Sequence, residues 1–173
     1  KSQIFLDKHT SSTQKKILAN ILTNLIGPKR LDCFIFDSNP KHSLQDKDLS
    51  GRVAGMNGYL LAAKSRGYIL ESEKIDHICE QTLERLKICI KKNNPIYLIG
   101  YTFMLYQILV HFEKRGLKFK LPKGSKLIHF GGWKKMQNLK VEKEELNKVI
   151  MKNLGININY IYDIYGFTEQ LGT

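Results

Sequence analysis

Cysteine is scarce in this chain of 173 residues. Cys33, Cys79 and Cys89 are an odd number without CxxC spacing, so neither a disulfide framework nor a zinc knuckle is expected, and the thiols read as reduced and mostly buried. His9, His42, His77, His111 and His129 show neither HxxxH nor HExxH spacing, which removes the usual helical zinc motifs. No GxSxG elbow and no GxGxxG fingerprint occurs, which argues against a serine hydrolase and a dinucleotide-binding module. A long apolar run is missing too. The most apolar stretch, Pro95 to Phe112, is broken by Gly100, Thr102 and Gln107 and falls short of the ~20 residues that a membrane-spanning helix needs. The opening KSQIFLDKHT has no apolar segment followed by a small-residue cleavage site, so the expectation is a cytoplasmic protein without a membrane span.

Acidic residues are few, 16 against 28 lysines and arginines, for a formal charge of +12. Clustered cations would suggest a nucleic-acid surface, because they release counterions from phosphates. Here the lysines recur through nearly every segment beside many Ile and Asn residues. That distribution is a compositional bias giving solvated basic faces, and no nucleic-acid partner is expected. With 42% hydrophobic and 25% charged residues, the chain has the composition of one globular domain, or a large piece of one.

Ile17, Leu18, Ile21, Leu22 and Leu25 repeat at helical spacing behind the possible caps Ser11 and Ser12, and Gly27-Pro28 closes the pattern. LDCFIFD, residues 31–37, is a continuous apolar run of the kind that forms a strand covered on both faces. The segment from Gly51 to Ala63 is rich in small residues and fits either a close-packed helix or a loop. A strand at Gly67 to Leu70 is followed by a helix opening at Ser72, with Ile75, Ile78, Cys79, Leu83, Leu86 and Ile90 on one face. Its acids Glu73 and Asp76 come early and Lys91 and Lys92 late, as the helix dipole favours. Asn93-Asn94-Pro95 stops it, PIYLIG reads as a buried strand, and Met104 to Phe112 continue as a helix to Gly116. Lys126 to Phe130 then makes a strand ending in Gly131-Gly132, Glu142 to Leu154 a helix closed by Gly155, and INYIYDI a last strand. Strands alternating with helices predict an α/β fold with a mostly parallel sheet flanked by helices. In such sheets ligands bind beyond the carboxyl ends of the strands. GGWKK and YGFTEQ both lie there, so the two loops are expected to face one crevice.

The second of these, Asp163-Ile-Tyr165-Gly166-Phe167-Thr168-Glu169, resembles the YGxTE signature of the adenylate-forming superfamily of acyl ligases. Read through that resemblance, the Tyr165 ring stacks on adenine, Gly166 lets the backbone pass close to the nucleotide, and Asp163 lies at the nucleotide site. Thr168 offers a hydroxyl to the α-phosphate, and Glu169 is a hard oxygen ligand for the Mg2+ that accompanies ATP. Both would help to neutralise charge at the phosphorus under attack. One strand-helix unit earlier, KLIHFGGWKK occupies the place where the superfamily has a glycine loop along the adenine. Gly131 and Gly132 would let main chain lie against the base, and Trp133 would wall the pocket. Without that resemblance Trp133 reads equally as a core anchor, the glycines as a turn, and His129 as a satisfied strand-end histidine.

GGWK, together with the opening KSQIFLDKHT, resembles the acyl-protein synthetase (LuxE) branch of the superfamily. LSGRVAGMNGY and IGYTFMLYQI fit the same branch less specifically. The resemblance covers essentially residues 1–173 but only part of the family's length. It implies a single partial ATP-binding core from the large N-terminal domain, with the phosphate loop before Lys1. The ribose-binding acid, the C-terminal domain with its catalytic lysine and the acyl-accepting cysteine would follow Thr173. None of the three cysteines matches the acceptor position.

The implied reaction starts from a carboxylic acid, a fatty acid by the branch, and ATP with Mg2+. It makes an acyl-adenylate and passes the acyl group to a thiol, a protein cysteine or, in relatives of phenylacetate-CoA ligase type, coenzyme A. A non-catalytic nucleotide-binding domain is the reading from a different class. Tyr101, Phe103 and Met104 fit an acyl channel or a core helix.

Overall fold

The computed structural model describes residues 7–40 and 55–164. It contains helix α1 (Lys8–Ile26), strand β1 (Leu31–Ser38), strand β2 (Ala63–Leu70) and helix α2 (Glu80–Lys91). Strand β3 (Ile96–Tyr101), helix α3 (Thr102–Lys114), strand β4 (Lys126–Phe130), helix α4 (Lys143–Leu154) and strand β5 (Ile161–Ile164) complete the order. The five strands form one sheet in the order β2-β1-β3-β4-β5, and every pairing is parallel. Helices flank this sheet, giving the α/β fold expected from the alternation of elements.

The central strands are continuous apolar runs because both of their faces are covered. Every residue of β3 is buried, as are Cys33 to Ser38 of β1 and Leu127 to Phe130 of β4. The edge strands β2 and β5 are only partly covered. Helix α3 packs its apolar face on this layer, and Phe112 meets the rings of Phe36 and Phe119 edge-on, with centroids 6.2 and 5.6 Å apart. Buried Asn153 ties α4 to α3, donating from Nδ2 to Glu113 at 3.0 Å and to the Val149 carbonyl at 2.8 Å. Beside them, Arg85 of α2 donates to the Arg66 carbonyl at 3.0 Å and to the Ser65 hydroxyl at 2.7 Å. Its guanidinium lies over the Phe34 ring.

Two expectations about helix starts are corrected. Helix α1 is capped by Asp7, whose carboxylate accepts from the Thr10 amide at 2.7 Å, and Ser11 and Ser12 lie within it. Ser72 does not open a helix. Residues 71–79 are bends and turns in which the Ser72 hydroxyl meets His77 Nδ1 at 2.8 Å and the Lys74 amide donates to the same hydroxyl. Ile78 forms a bridge to Leu70, the Cys79 amide donates to the Ile69 carbonyl at 2.8 Å, and α2 begins only at Glu80. These side-chain and strand-edge partners outcompete the helix, as serine favours when it can bond the nearby backbone. Strand β2 is longer than the expected 67–70, reaching back to Ala63. The small-residue segment resolves, within the described part, into a short helical turn and a 3-10 turn at Tyr59–Ala62. The last strand starts at Ile161, after a 3-10 turn at Ile158–Tyr160.

Cys33 is buried, while Cys79 and Cys89 are half-buried; all three are free. Burial pushes the Cys33 and Cys89 thiols up, away from the nucleophilic thiolate. Among the described residues no helix is long and apolar enough to cross a membrane.

Candidate functional site

Strands β4 and β5 run side by side, pairing Leu127 with Ile161, Ile128 with Tyr162, His129 with Asp163 and Phe130 with Ile164. Paired residues of neighbouring strands project to the same face of a sheet. The register therefore puts His129 beside Asp163, and Phe130, the last residue before the Gly131 turn, beside Ile164. At the far end of the same pair the Lys126 ammonium sits 3.7 Å from the centroid of the Tyr160 ring, a cation–π contact that supports the same alignment.

A cavity of about 300 Å³ opens at these carboxyl ends, lined among others by Thr102, His129, Gly131, Gly132, Trp133 and Asp163. That volume is at the lower end of the roughly 300–1,000 Å³ of small-molecule sites. Larger open hollows elsewhere, such as the 410 Å³ one beside Arg66 and Arg85, do not have the Gly131-Gly132 turn in their lining. Size alone does not choose between them; the strand-end position and the convergence of polar groups favour the smaller cavity.

His129 is 2% exposed. Its Nδ1 lies 3.0 Å from the Thr102 hydroxyl and 3.6 Å from Asp163 Oδ1, while the Thr102 hydroxyl also reaches the Phe130 carbonyl at 3.3 Å. A hydroxyl has one proton, and the carbonyl takes it. The hydroxyl then accepts from Nδ1–H, which selects that tautomer of the ring. Burial lowers the pKa of His129; the Asp163 carboxylate opposes the shift and Lys143 adds to it. Burial outweighs the carboxylate and favours the neutral imidazole. Asp163 is in turn 3.8 Å from the Lys143 ammonium at the start of α4.

Gly131 adopts φ +74°, and a Cβ there would stand 3.0 Å from Cδ1 of Tyr101. The turn thus needs glycine both for its backbone and for the ring behind it. Tyr101 packs edge-on against Phe130, centroids 4.6 Å apart, and Tyr59 stacks on the same Phe130 ring at 5.1 Å. Gly132 is exposed, and nothing stands within 4 Å of the place its Cβ would occupy. Trp133 combines the two readings of its sequence context: it is 8% exposed, packs edge-on against Tyr106 of α3 at 5.3 Å, and lines the cavity.

Of the residues singled out in the sequence, Gly131, Gly132, Trp133 and Asp163 come together at this cavity. Tyr165, Gly166, Thr168 and Glu169 lie outside the described residues. Tyr101, Phe103 and Met104 are buried in the core. Among the described residues no group of three or more His, Cys, Asp or Glu side chains could hold a metal ion. The sequence reading missed Thr102 and Lys143. Thr102 carried a signal, since it follows a buried strand in the same way that Gly131 follows the next; Lys143 is a cation where the helix dipole favours an acid.

The family model of the acyl-protein synthetases, LuxE, matches residues 1–173, and the chain belongs to that family. The long-chain-fatty-acid–luciferin-component ligase of Aliivibrio fischeri is 27% identical over 103 residues, which is 59% of this chain and 27% of that ligase. The match therefore spans little more than a quarter of that relative's length.

Proposed function

We propose that this chain forms part of the ATP-binding core of a ligase that activates a fatty acid as its acyl-adenylate and transfers the acyl group to a protein thiol. The observation that carries the reading is the register of β4 and β5, which sets the Gly131-Gly132 turn beside the segment entering the tyrosine motif, in a chain matched along its whole length by the acyl-protein synthetase family. Fatty-acid ligation is also what the name of the Aliivibrio fischeri relative states for that protein.

ATP fits the residues in view. Exposed main chain at Gly132, unobstructed on its Cβ side, is a surface on which a flat purine can lie, and Trp133 closes one wall of the cavity. Tyr165 would stack on the other face of the base, and Thr168 would donate to the α-phosphate. Glu169 would hold Mg2+, which supplies charge neutralisation on the phosphates. The carboxylate of the acid attacks the α-phosphorus, a P–O bond to pyrophosphate breaks, and an acyl–phosphate anhydride remains. The acceptor thiolate then attacks the acyl carbon and AMP leaves.

Carboxylate-dependent exchange of pyrophosphate into ATP on the full-length protein tests the first half-reaction, over a panel of fatty and aryl acids with Glu169→Gln beside the native protein. Exchange with fatty acids that collapses in the variant supports the reading. Exchange whose product moves only to coenzyme A shifts the acceptor to the phenylacetate-CoA ligase type. ATP binding without exchange for any acid leaves a non-catalytic nucleotide-binding domain.

A further inference from the structure

His129 is 2% exposed, and the two nitrogens of its ring are differently engaged. Nδ1 lies 3.0 Å from the Thr102 hydroxyl, whose own proton goes to the Phe130 carbonyl at 3.3 Å, so Nδ1 carries the hydrogen and donates it to Thr102. Asp163, at 3.6 Å from the same nitrogen, is beyond hydrogen-bond reach. In the neutral ring that burial favours, Nε2 is then a bare acceptor. No described residue partners it. Among the described residues the side-chain atoms sealed from solvent without a partner are Ser38 Oγ, Tyr97 Oη, His111 Nε2 and Asn153 Oδ1. His129 Nε2 is not one of them, and the open space that the ring borders is the strand-end cavity of about 300 Å³. A buried acceptor left empty costs free energy, whereas one that meets a ligand donor adds affinity and rejects ligands that lack the donor.

The rest of the lining suits a flat ring. Trp133, Val141, Leu146 and Ile164 are apolar, and the main chain at Gly132 is uncovered on its Cβ side. We propose that His129 Nε2 accepts a hydrogen bond from the exocyclic 6-amino group of adenine, which makes His129 the residue that selects ATP over purine nucleotides without that amine. This rests on the nucleotide reading of the cavity given above. Hypoxanthine and guanine carry a carbonyl oxygen at the 6-position, so two acceptors would face each other with no proton between them. The bond to Thr102 makes the selection one-sided. It holds the ring proton on Nδ1, whereas a ring protonated on Nε2 would favour the 6-oxo bases.

The test uses the full-length protein and three nucleotides that differ at the 6-position: ATP, inosine triphosphate with an oxygen there, and purine riboside triphosphate with only hydrogen. Dissociation constants are measured by calorimetry for the native protein, His129→Leu and His129→Gln. The native protein is expected to bind ATP about ten-fold or more tighter than either analogue. In His129→Leu the three constants should converge. In His129→Gln the amide stands near the place of Nε2 and can turn its oxygen or its nitrogen to the base, so the gap between ATP and inosine triphosphate should close. Each comparison is a ratio within one protein, so a general loss of stability in a variant cancels. If His129→Leu does not fold, His129→Gln decides alone: a closed gap supports the proposal and a retained one overturns it. A native protein that binds ATP without preferring it to the analogues, or a preference that survives in His129→Leu, would overturn the proposal and leave the nucleotide reading standing. A native protein that binds none of the three sinks the nucleotide reading and the proposal with it. A preference that follows His129, in a protein that exchanges no pyrophosphate with any acid, upholds the proposal and sinks only the ligase reading.

Discussion

Gly131 and Tyr101 stand in direct contact across the ends of β4 and β3: a Cβ on the glycine would come within 3.0 Å of Cδ1 of the ring, at a φ of +74°. Alanine at this position meets both a left-handed backbone, which costs roughly 1–2 kcal/mol for an L-residue, and an aromatic ring held by Phe130. Gly131→Ala is expected to lower the urea midpoint accordingly. Gly132→Ala meets nothing within 4 Å and should leave stability within about 0.5 kcal/mol while weakening ATP binding. Equal destabilisation by the two substitutions would contradict this division of labour.

Arg85 makes a two-pronged contact from α2 to β2, to the Arg66 carbonyl and the Ser65 hydroxyl, and Ser65 passes the contact on to Asp32 of β1. Lysine cannot reproduce a planar fork with two parallel donors. Arg85→Lys is expected to lose about 1–3 kcal/mol of stability, read from denaturant unfolding, with no change in ATP affinity because the contact is remote from the strand-end cavity. A fully stable lysine variant would show the fork to be dispensable.

Phe112 is fully buried and meets two aromatic rings. Truncation to alanine leaves a cavity that neighbouring strands cannot fill, and Phe112→Ala should cost about 3–5 kcal/mol. A loss under about 1 kcal/mol would mean that α3 does not pack on the sheet as described.

The pH dependence of stability follows from His129. Its folded pKa is lowered, chiefly by burial, with Lys143 adding to the shift and the Asp163 carboxylate opposing it. The unfolded chain therefore takes up this proton at a higher pH than the folded one. The contribution is fully present above the ordinary imidazole value of about 6.5 and is lost as pH falls from there toward the folded value. The urea midpoint should decline between roughly pH 7 and pH 5.5, and the decline should be shallower in His129→Asn. A native midpoint that holds or rises on acidification contradicts a neutral buried imidazole.

The parts of this fold legible in the sequence were those decided by continuous burial. LDCFIFD, PIYLIG and KLIHF are apolar along their length because central parallel strands are covered on both faces, and each lies in a strand within a residue or so of its expected ends. The half-covered edge strand was harder. Ala63, Ser65 and Arg66 lie before the strand expected at Gly67 to Leu70, yet they pair with β1. Helix α2 was placed too early because Ile75 and Ile78 fall at helical spacing, whereas the Ser72–His77 contact and the bridge from Ile78 to Leu70 set the backbone there. At the site, the glycines and the tryptophan were visible as residue types. The pairing of His129 with Asp163 was not, because it depends on strand register, which periodicity does not carry.

The most direct measurement of the central claim follows oxygen. A fatty acid labelled with 18O in its carboxylate is supplied to the full-length protein with ATP and an acceptor thiol, and the nucleotide product is weighed by mass spectrometry. Attack on the α-phosphorus followed by acyl transfer leaves one carboxylate oxygen on the phosphate, so the account predicts AMP carrying one 18O. ADP with labelled inorganic phosphate, or unlabelled AMP formed at the same rate without acid, would contradict it.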